Sequence, residues 1–253
     1  MTILHDRRFA GWARGHLLCR VEGLTDRFAL TFDDGPNRDA TPAILDLLSR
    51  HGARATFFTL APNVRRERWL IRRMVDEGHE VAVHGDLHWP LPLLPPAGIR
   101  REIERSVAAV VAAGAAPPRF YRPPFGLMMP GQAAFVRHLG VEPVLGDVYP
   151  EDPQHPGVER IVRRVMTHLS SGSIVILHDG SPLGPVDRGQ TIAALEPILG
   201  AAAAAGLRAV TVGMLLEARV PQWRLLGTPS EARLLASLAC PADLGPTPPA
   251  AGP

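Results

Sequence analysis

Short β-prone apolar runs alternate with longer stretches of helical spacing along most of this 253-residue chain. The runs cover residues 28–32, 55–60, 80–84, 119–122, 141–145, 173–177 and 207–212. Between them, residues 41–50, 67–77, 99–113, 132–139, 158–169 and 191–205 carry apolar side chains at helical spacing, and Gly52, Gly78, Gly114, Gly140 and Gly206 stop five of these stretches. A strand followed by a helix and then another strand joins parallel strands through a right-handed crossover. Seven such runs therefore predict a barrel-like α/β fold. An open doubly wound sheet is the alternative. Both architectures gather chemistry at the C-terminal ends of their strands.

The pattern predicts one catalytic domain over 27–220, an N-terminal extension over 1–26 packed on the barrel, and a C-terminal extension over 221–253 ending in a frayed Pro/Ala-rich tail. A hydrophobic fraction of 46% excludes wholesale disorder. The balance of 27 Lys+Arg against 25 Asp+Glu argues against a nucleic-acid partner. Cys19 and Cys240 fit no metal-binding spacing and read as plain thiols. No segment reaches the roughly 18 apolar residues of a membrane span. Asp6, Arg7, Arg8, Arg14 and His16 break up the first residues, which lack the apolar core of a signal peptide. The expectation is a cytoplasmic protein, with a peripheral place at the membrane face as the variant.

Polar residues collect where the expected strands end. Asp33 and Asp34 follow the first run. Adjacent carboxylates leaving a strand point to different sides, so one can take a metal while the other faces substrate. His84 and His88 follow the third run, four residues apart, and with Asp34 they form an open-sided ligand triad. Arg122-Pro123-Pro124-Phe125-Gly126 follows the fourth run, placing an Arg able to hold a carboxylate. The sixth run delivers His178, a candidate acid or base.

These residues carry a resemblance. The stretch from Arg27 to Met214 resembles the polysaccharide deacetylase, or NodB-homology, family. Thr31-Phe32-Asp33-Asp34-Gly35-Pro36 matches the family's first motif throughout, and Arg122–Gly126 and Leu177-His178-Asp179 match its third and fifth. Two departures stand out. Gly85 replaces the family's hydroxyl residue in the second motif, and the fourth motif, within Gly146-Asp147-Val148-Tyr149-Pro150-Glu151-Asp152-Pro153, lacks its tryptophan.

The resemblance implies a distorted (β/α)7 barrel of the TIM-barrel kind, and a metal-dependent hydrolase that removes N-acetyl groups from N-acetylglucosamine-containing poly- or oligosaccharides. It implies Zn2+, with Co2+ or Ni2+ as substitutes, held by Asp34, His84 and His88. It implies Asp33 as base, paired with Arg122, and His178 as acid. Asp152 would orient His178, with Asp147 as the substitute. Phe125, Leu177 and Tyr121 would contact substrate, Phe125 through its backbone N–H and Leu177 at the acetyl methyl. Rival readings are a deformylase or deacetylase of a lipid-linked or small amino sugar, with the apolar stretch 89–96 as a lip, a cyclic-amide hydrolase, and a non-catalytic carbohydrate-binding relative.

Overall fold

The computed structural model describes residues 17–218. Cys240, the expected extension over 221–253 and the first sixteen residues lie outside the described residues. Seven strands form one sheet: β1 (Arg27–Asp33), β2 (Thr56–Leu60), β3 (Glu80–Gly85), β4 (Phe120–Tyr121), β5 (Glu142–Pro143), β6 (Ile174–His178) and β7 (Arg208–Val210). The helices are α1 (Ala40–Arg50), α2 (Ala61–Arg66), α3 (Arg68–Asp76), α4 (Pro96–Ala112), α5 (Pro130–His138), α6 (Val158–His168), α7 (Gly189–Ala204) and α8 (Val212–Glu217). Every strand pairing is parallel, in the order β5-β4-β3-β2-β1-β6. β1 is the hub: Ala29–Asp33 pairs with β6, while on its other side Arg27–Ala29 pairs with β7 and Thr31–Asp33 with β2.

The curled sheet is the expected distorted barrel rather than an open doubly wound sheet. β5 and β6 do not pair directly. The gap is bridged by Leu18 against Val144, Arg20 against Ser173 and Val148 against Val175. Thus the part of the N-terminal extension from residue 17 onward is woven into the wall. β4 and β5 shrink to two residues each because Pro117, Pro118, Pro123, Pro124 and Pro143 supply no N–H to a ladder. Two short helices, α2 and α8, were too brief to announce themselves as periodic runs.

Strand alternation divides the apolar residues into two sets. Phe28, Leu30, Phe32, Phe57, Val81, Val83, Tyr121, Val175 and Leu177 face outward, where helices such as α1 bring Ile44, Leu45 and Leu48 to cover them. Ala29, Phe58, Ala82, Phe120, Val144, Ile174 and Val210 fill the interior. Among the described residues, no helix is long and apolar enough to cross a membrane.

Gly172 shows how tightly the seam is closed. Its φ is +82°, its carbonyl accepts the Val21 N–H at 2.9 Å, and a Cβ there would lie 1.8 Å from the Val21 carbonyl oxygen. Gly172→Ala should destabilise the protein by about 3 kcal/mol, measured by urea unfolding. Gly131→Ala, where a Cβ meets nothing within 4 Å, should stay within about 1 kcal/mol of wild type. Equal midpoints for the two variants would mean that residues 17–21 do not close the barrel.

Candidate active site

The C-terminal strand ends surround a cavity of about 780 Å³. Asp33, Asp34, His84, His88, Arg122 and His178 all line it. Parity explains the convergence. Asp33 lies two and four residues after the inward positions Thr31 and Ala29, His84 two after Ala82, Arg122 two after Phe120, and His178 four after Ile174. Asp34 then leaves the strand at φ +70°, which sends its carboxylate to a different wall from that of Asp33.

Asp34 meets two imidazoles. His84 Nε2 lies 3.5 Å and His88 Nε2 3.4 Å from its Oδ1. One donor atom from each residue lies within 4.8 Å of the others. His84 Nδ1 sits 2.8 Å from the Arg122 carbonyl oxygen, which can only accept, so Nδ1 carries the proton and Nε2 offers its lone pair. Burial lowers both histidines to about 3, which leaves them neutral, the form a metal needs. Burial raises Asp34 to about 6 against the pull of the charged His178. Its Oδ1 is buried with no hydrogen-bond partner. Two neutral imidazoles around an unpartnered buried carboxylate oxygen fit a divalent cation in chemistry and in spacing.

Asp33 has a different partner. Arg122 Nη1 donates to Asp33 Oδ1 at 2.6 Å and to Thr31 Oγ1 at 2.7 Å, and its guanidinium stacks 4.0 Å above the Phe58 ring. Arg122 is 1% exposed, and burial lowers its pKa against the support of Asp33.

Across the cavity, His178 Nδ1 contacts Asp152 Oδ1 at 3.0 Å. Asp152 Oδ2 accepts the His178 backbone N–H at 3.0 Å and the Thr191 hydroxyl at 2.8 Å. Burial alone pulls His178 down, but the charge and hydrogen bond of Asp152, then Asp33 and Asp34, push it up to about 9. Asp147 takes no part in this. It caps the barrel seam, accepting from the Ile174 N–H at 2.8 Å and from Arg20 at 3.2 Å.

Two expected substrate contacts need correction. Tyr121 and Leu177 are fully buried on the outer face, among the helix-facing apolar residues, and neither lines the cavity. Each stands one residue out of phase with an inward neighbour, Phe120 and His178. The apolar wall instead comes from Leu145 and Ile176, with Tyr149 placing its ring 6.0 Å from that of His178. Ile176 was legible from alternation and Tyr149 lay within the altered fourth motif; Leu145 and the buried cavity-lining Arg188 carried no sequence signal. Phe125 does line the cavity, 59% exposed at φ +60°, with its ring 4.6 Å from that of His88.

Comparison with known proteins agrees with this geometry. The polysaccharide deacetylase family profile matches residues 21–144. A chitooligosaccharide deacetylase of Bradyrhizobium sp. (strain ANU 289) is 40% identical over 178 residues, covering 67% of this chain and 81% of that protein. A peptidoglycan-N-acetylglucosamine deacetylase of Bacillus cereus is 35% identical over 207 residues, covering 80% and 93%. The solved structure of the peptidoglycan deacetylase PdaC from Bacillus subtilis matches with a TM-score of 0.71 at 29% identity, covering 85% of this chain and 98% of that one.

The raised His178 pKa has a definite sign. Folding favours the imidazolium, so its contribution to stability is complete below the ordinary value of 6.5 and is lost as pH rises through about 9. Asp152→Asn should lower the His178 pKa by roughly 1–2 units, read from its ring-proton NMR titration. A titration unchanged by the substitution would remove Asp152 as the source of the shift.

Proposed function

The chain belongs to the polysaccharide deacetylase family, and on that premise we propose that it removes N-acetyl groups from N-acetylglucosamine-containing oligo- or polysaccharides by metal-dependent hydrolysis, with zinc as the metal. The observation that carries this reading is the meeting, in one cavity, of an Asp-His-His triad whose Asp34 Oδ1 has no hydrogen-bond partner with two proton-handling groups, Asp33 and His178.

Asp34, His84 and His88 would hold the ion; imidazole and carboxylate donors with an open side suit zinc, and cobalt or nickel can replace it. When bound there, a divalent ion supplies Lewis acidity, lowering the pKa of water toward about 7 and polarising the acetyl carbonyl.

The protein's own groups do the rest. Arg122 grips Asp33 through Oδ1 and leaves Oδ2 to take a proton from the attacking water. The water oxygen bonds to the carbonyl carbon. The Phe125 backbone N–H donates to the carbonyl oxygen as it gains charge. Asp152 occupies His178 Nδ1, so Nε2 is the nitrogen that protonates the leaving amine as the C–N bond breaks, releasing acetate. A pKa near 9 keeps that acid protonated at neutral pH. Leu145 and Ile176, both buried and both lining the cavity, would receive the acetyl methyl.

Acetate should be released from chitooligosaccharides or peptidoglycan fragments, lost on chelation and restored by zinc. Asp33→Asn should keep zinc while kcat falls by about 10²–10⁴-fold, whereas His84→Ala should lose both zinc and turnover. Near-wild-type turnover in Asp33→Asn would exclude Asp33 as the base. Formate released only from a formylated lipid-linked amino sugar would move the protein to a different substrate class.

A further inference from the structure

His84 and His88 stand at the two ends of a five-residue turn leaving β3. The turn is costly: Gly85 has φ +113° and His88, not a glycine, has φ +57°. Along that path both rings reach Asp34 Oδ1. The side chains that support the turn come from helices outside it. Glu102 on α4 is 7% exposed, and its Oε2 accepts the backbone N–H groups of Asp86 at 2.8 Å and Leu87 at 2.9 Å. Asp86, 4% exposed, is gripped by Arg65 of α2 at 2.9 Å and by Arg105 of α4 at 3.4 Å.

Position 85 is where this chain departs from the family's hydroxyl residue. A Cβ on Gly85 would lie 3.1 Å from Glu102 Oε2, at a backbone angle that side chains rarely adopt. The room a hydroxyl residue would need is taken by the carboxylate. A buried carboxylate is stable only if its oxygens accept hydrogen bonds, and two amides on one oxygen form a charge-assisted clamp. Without it, the amides of Asp86 and Leu87 lose their shared acceptor, the turn is held only through the Asp86 side chain, and His88 is the ligand that moves.

We propose that Glu102 is a positioning residue for the metal ligands, setting the placement of His84 and His88 against Asp34 through the amides of Asp86 and Leu87. The inference rests on reading Asp34, His84 and His88 as a metal site. Partners that orient metal ligands act on affinity more than on fold, because they fix how the ligands are presented.

The test is zinc affinity of the full chain, stripped of metal, in competition with a fluorescent zinc chelator, alongside the melting temperature of each metal-free protein. Glu102→Met keeps the side-chain length without an acceptor; Glu102→Gln keeps one acceptor oxygen. Glu102→Met should bind zinc about 10–100-fold more weakly than wild type, while Glu102→Gln stays within about threefold. Among the metal-free proteins, Glu102→Met should melt a few degrees below wild type, because two amides lose their acceptor, and Glu102→Gln close to wild type. Wild-type affinity in Glu102→Met, or a loss in Glu102→Gln equal to that in Glu102→Met, would overturn the proposal. So would a lowered metal-free melting temperature with zinc affinity intact, the mark of a purely structural role. If Glu102→Met does not fold, Glu102→Asp replaces it: that variant withdraws the carboxylate by one methylene, so weakened zinc binding supports the clamp and wild-type binding refutes it. A wild-type protein that takes up no zinc would overturn the metal-site reading itself, a result separate from any difference among the variants.

Discussion

Arg122 ties the two halves of the site together. Its guanidinium, stacked on Phe58 inside the barrel, holds Asp33 and Thr31, while its backbone carbonyl fixes the ring of His84. One residue at the end of β4 therefore sets both the proton acceptor and the tautomer of a metal ligand. Burying such a cation is tolerable only with a carboxylate against it, and removing one partner of a buried pair costs about 3–5 kcal/mol. The ion pair thus constrains the barrel as much as the chemistry. β4 must lie where Arg122 can reach across to β1, and the prolines that shorten β4 and β5 leave the arginine to make that link.

The site also concentrates backbone strain. Asp34, His88 and Phe125 all have positive φ and line the cavity, and Glu151 and His155 flank the short turn that carries Asp152. These are the non-glycine residues with positive φ among the described residues. Each such conformation costs on the order of 1–3 kcal/mol and persists only where its surroundings over-determine it. Here the surroundings are visible. Glu102 clamps the turn before His88, and Asp152 ties its own turn to the His178 N–H and to Thr191 of α7. The helices around the barrel thereby act on the site as well as covering the sheet.

Much of this was legible in the sequence. The seven strands and the glycine-stopped helices emerged from periodicity because each strand is nearly all apolar and each helix must bury one face. The polar residues at strand ends stood out because they interrupt that apolar pattern. The errors have an equally physical origin. Leu177 and Tyr121 sit beside residues that line the site, and motif adjacency suggested contact. In a strand, however, neighbours face opposite ways, and both side chains lie under the outer helices. Asp147 and Asp152 were both open as partners of His178. The turn with Glu151 at φ +61° carries the second to the imidazole, while the first stays on the seam.

What the sequence determined by itself was local and periodic: the α/β order, the strand ends, and the identities of the groups that could bind a metal or move a proton. Such features depend on neighbours a few residues away, so they survive without coordinates. Only the tertiary structure decided which groups share a wall, which nitrogen of each histidine is free, and that Glu102 and Thr191 stand behind the ligand turn and Asp152. Those contacts join residues remote in the chain, made neighbours by the curl of the sheet and the closing of its seam, and no spacing rule along the sequence encodes them.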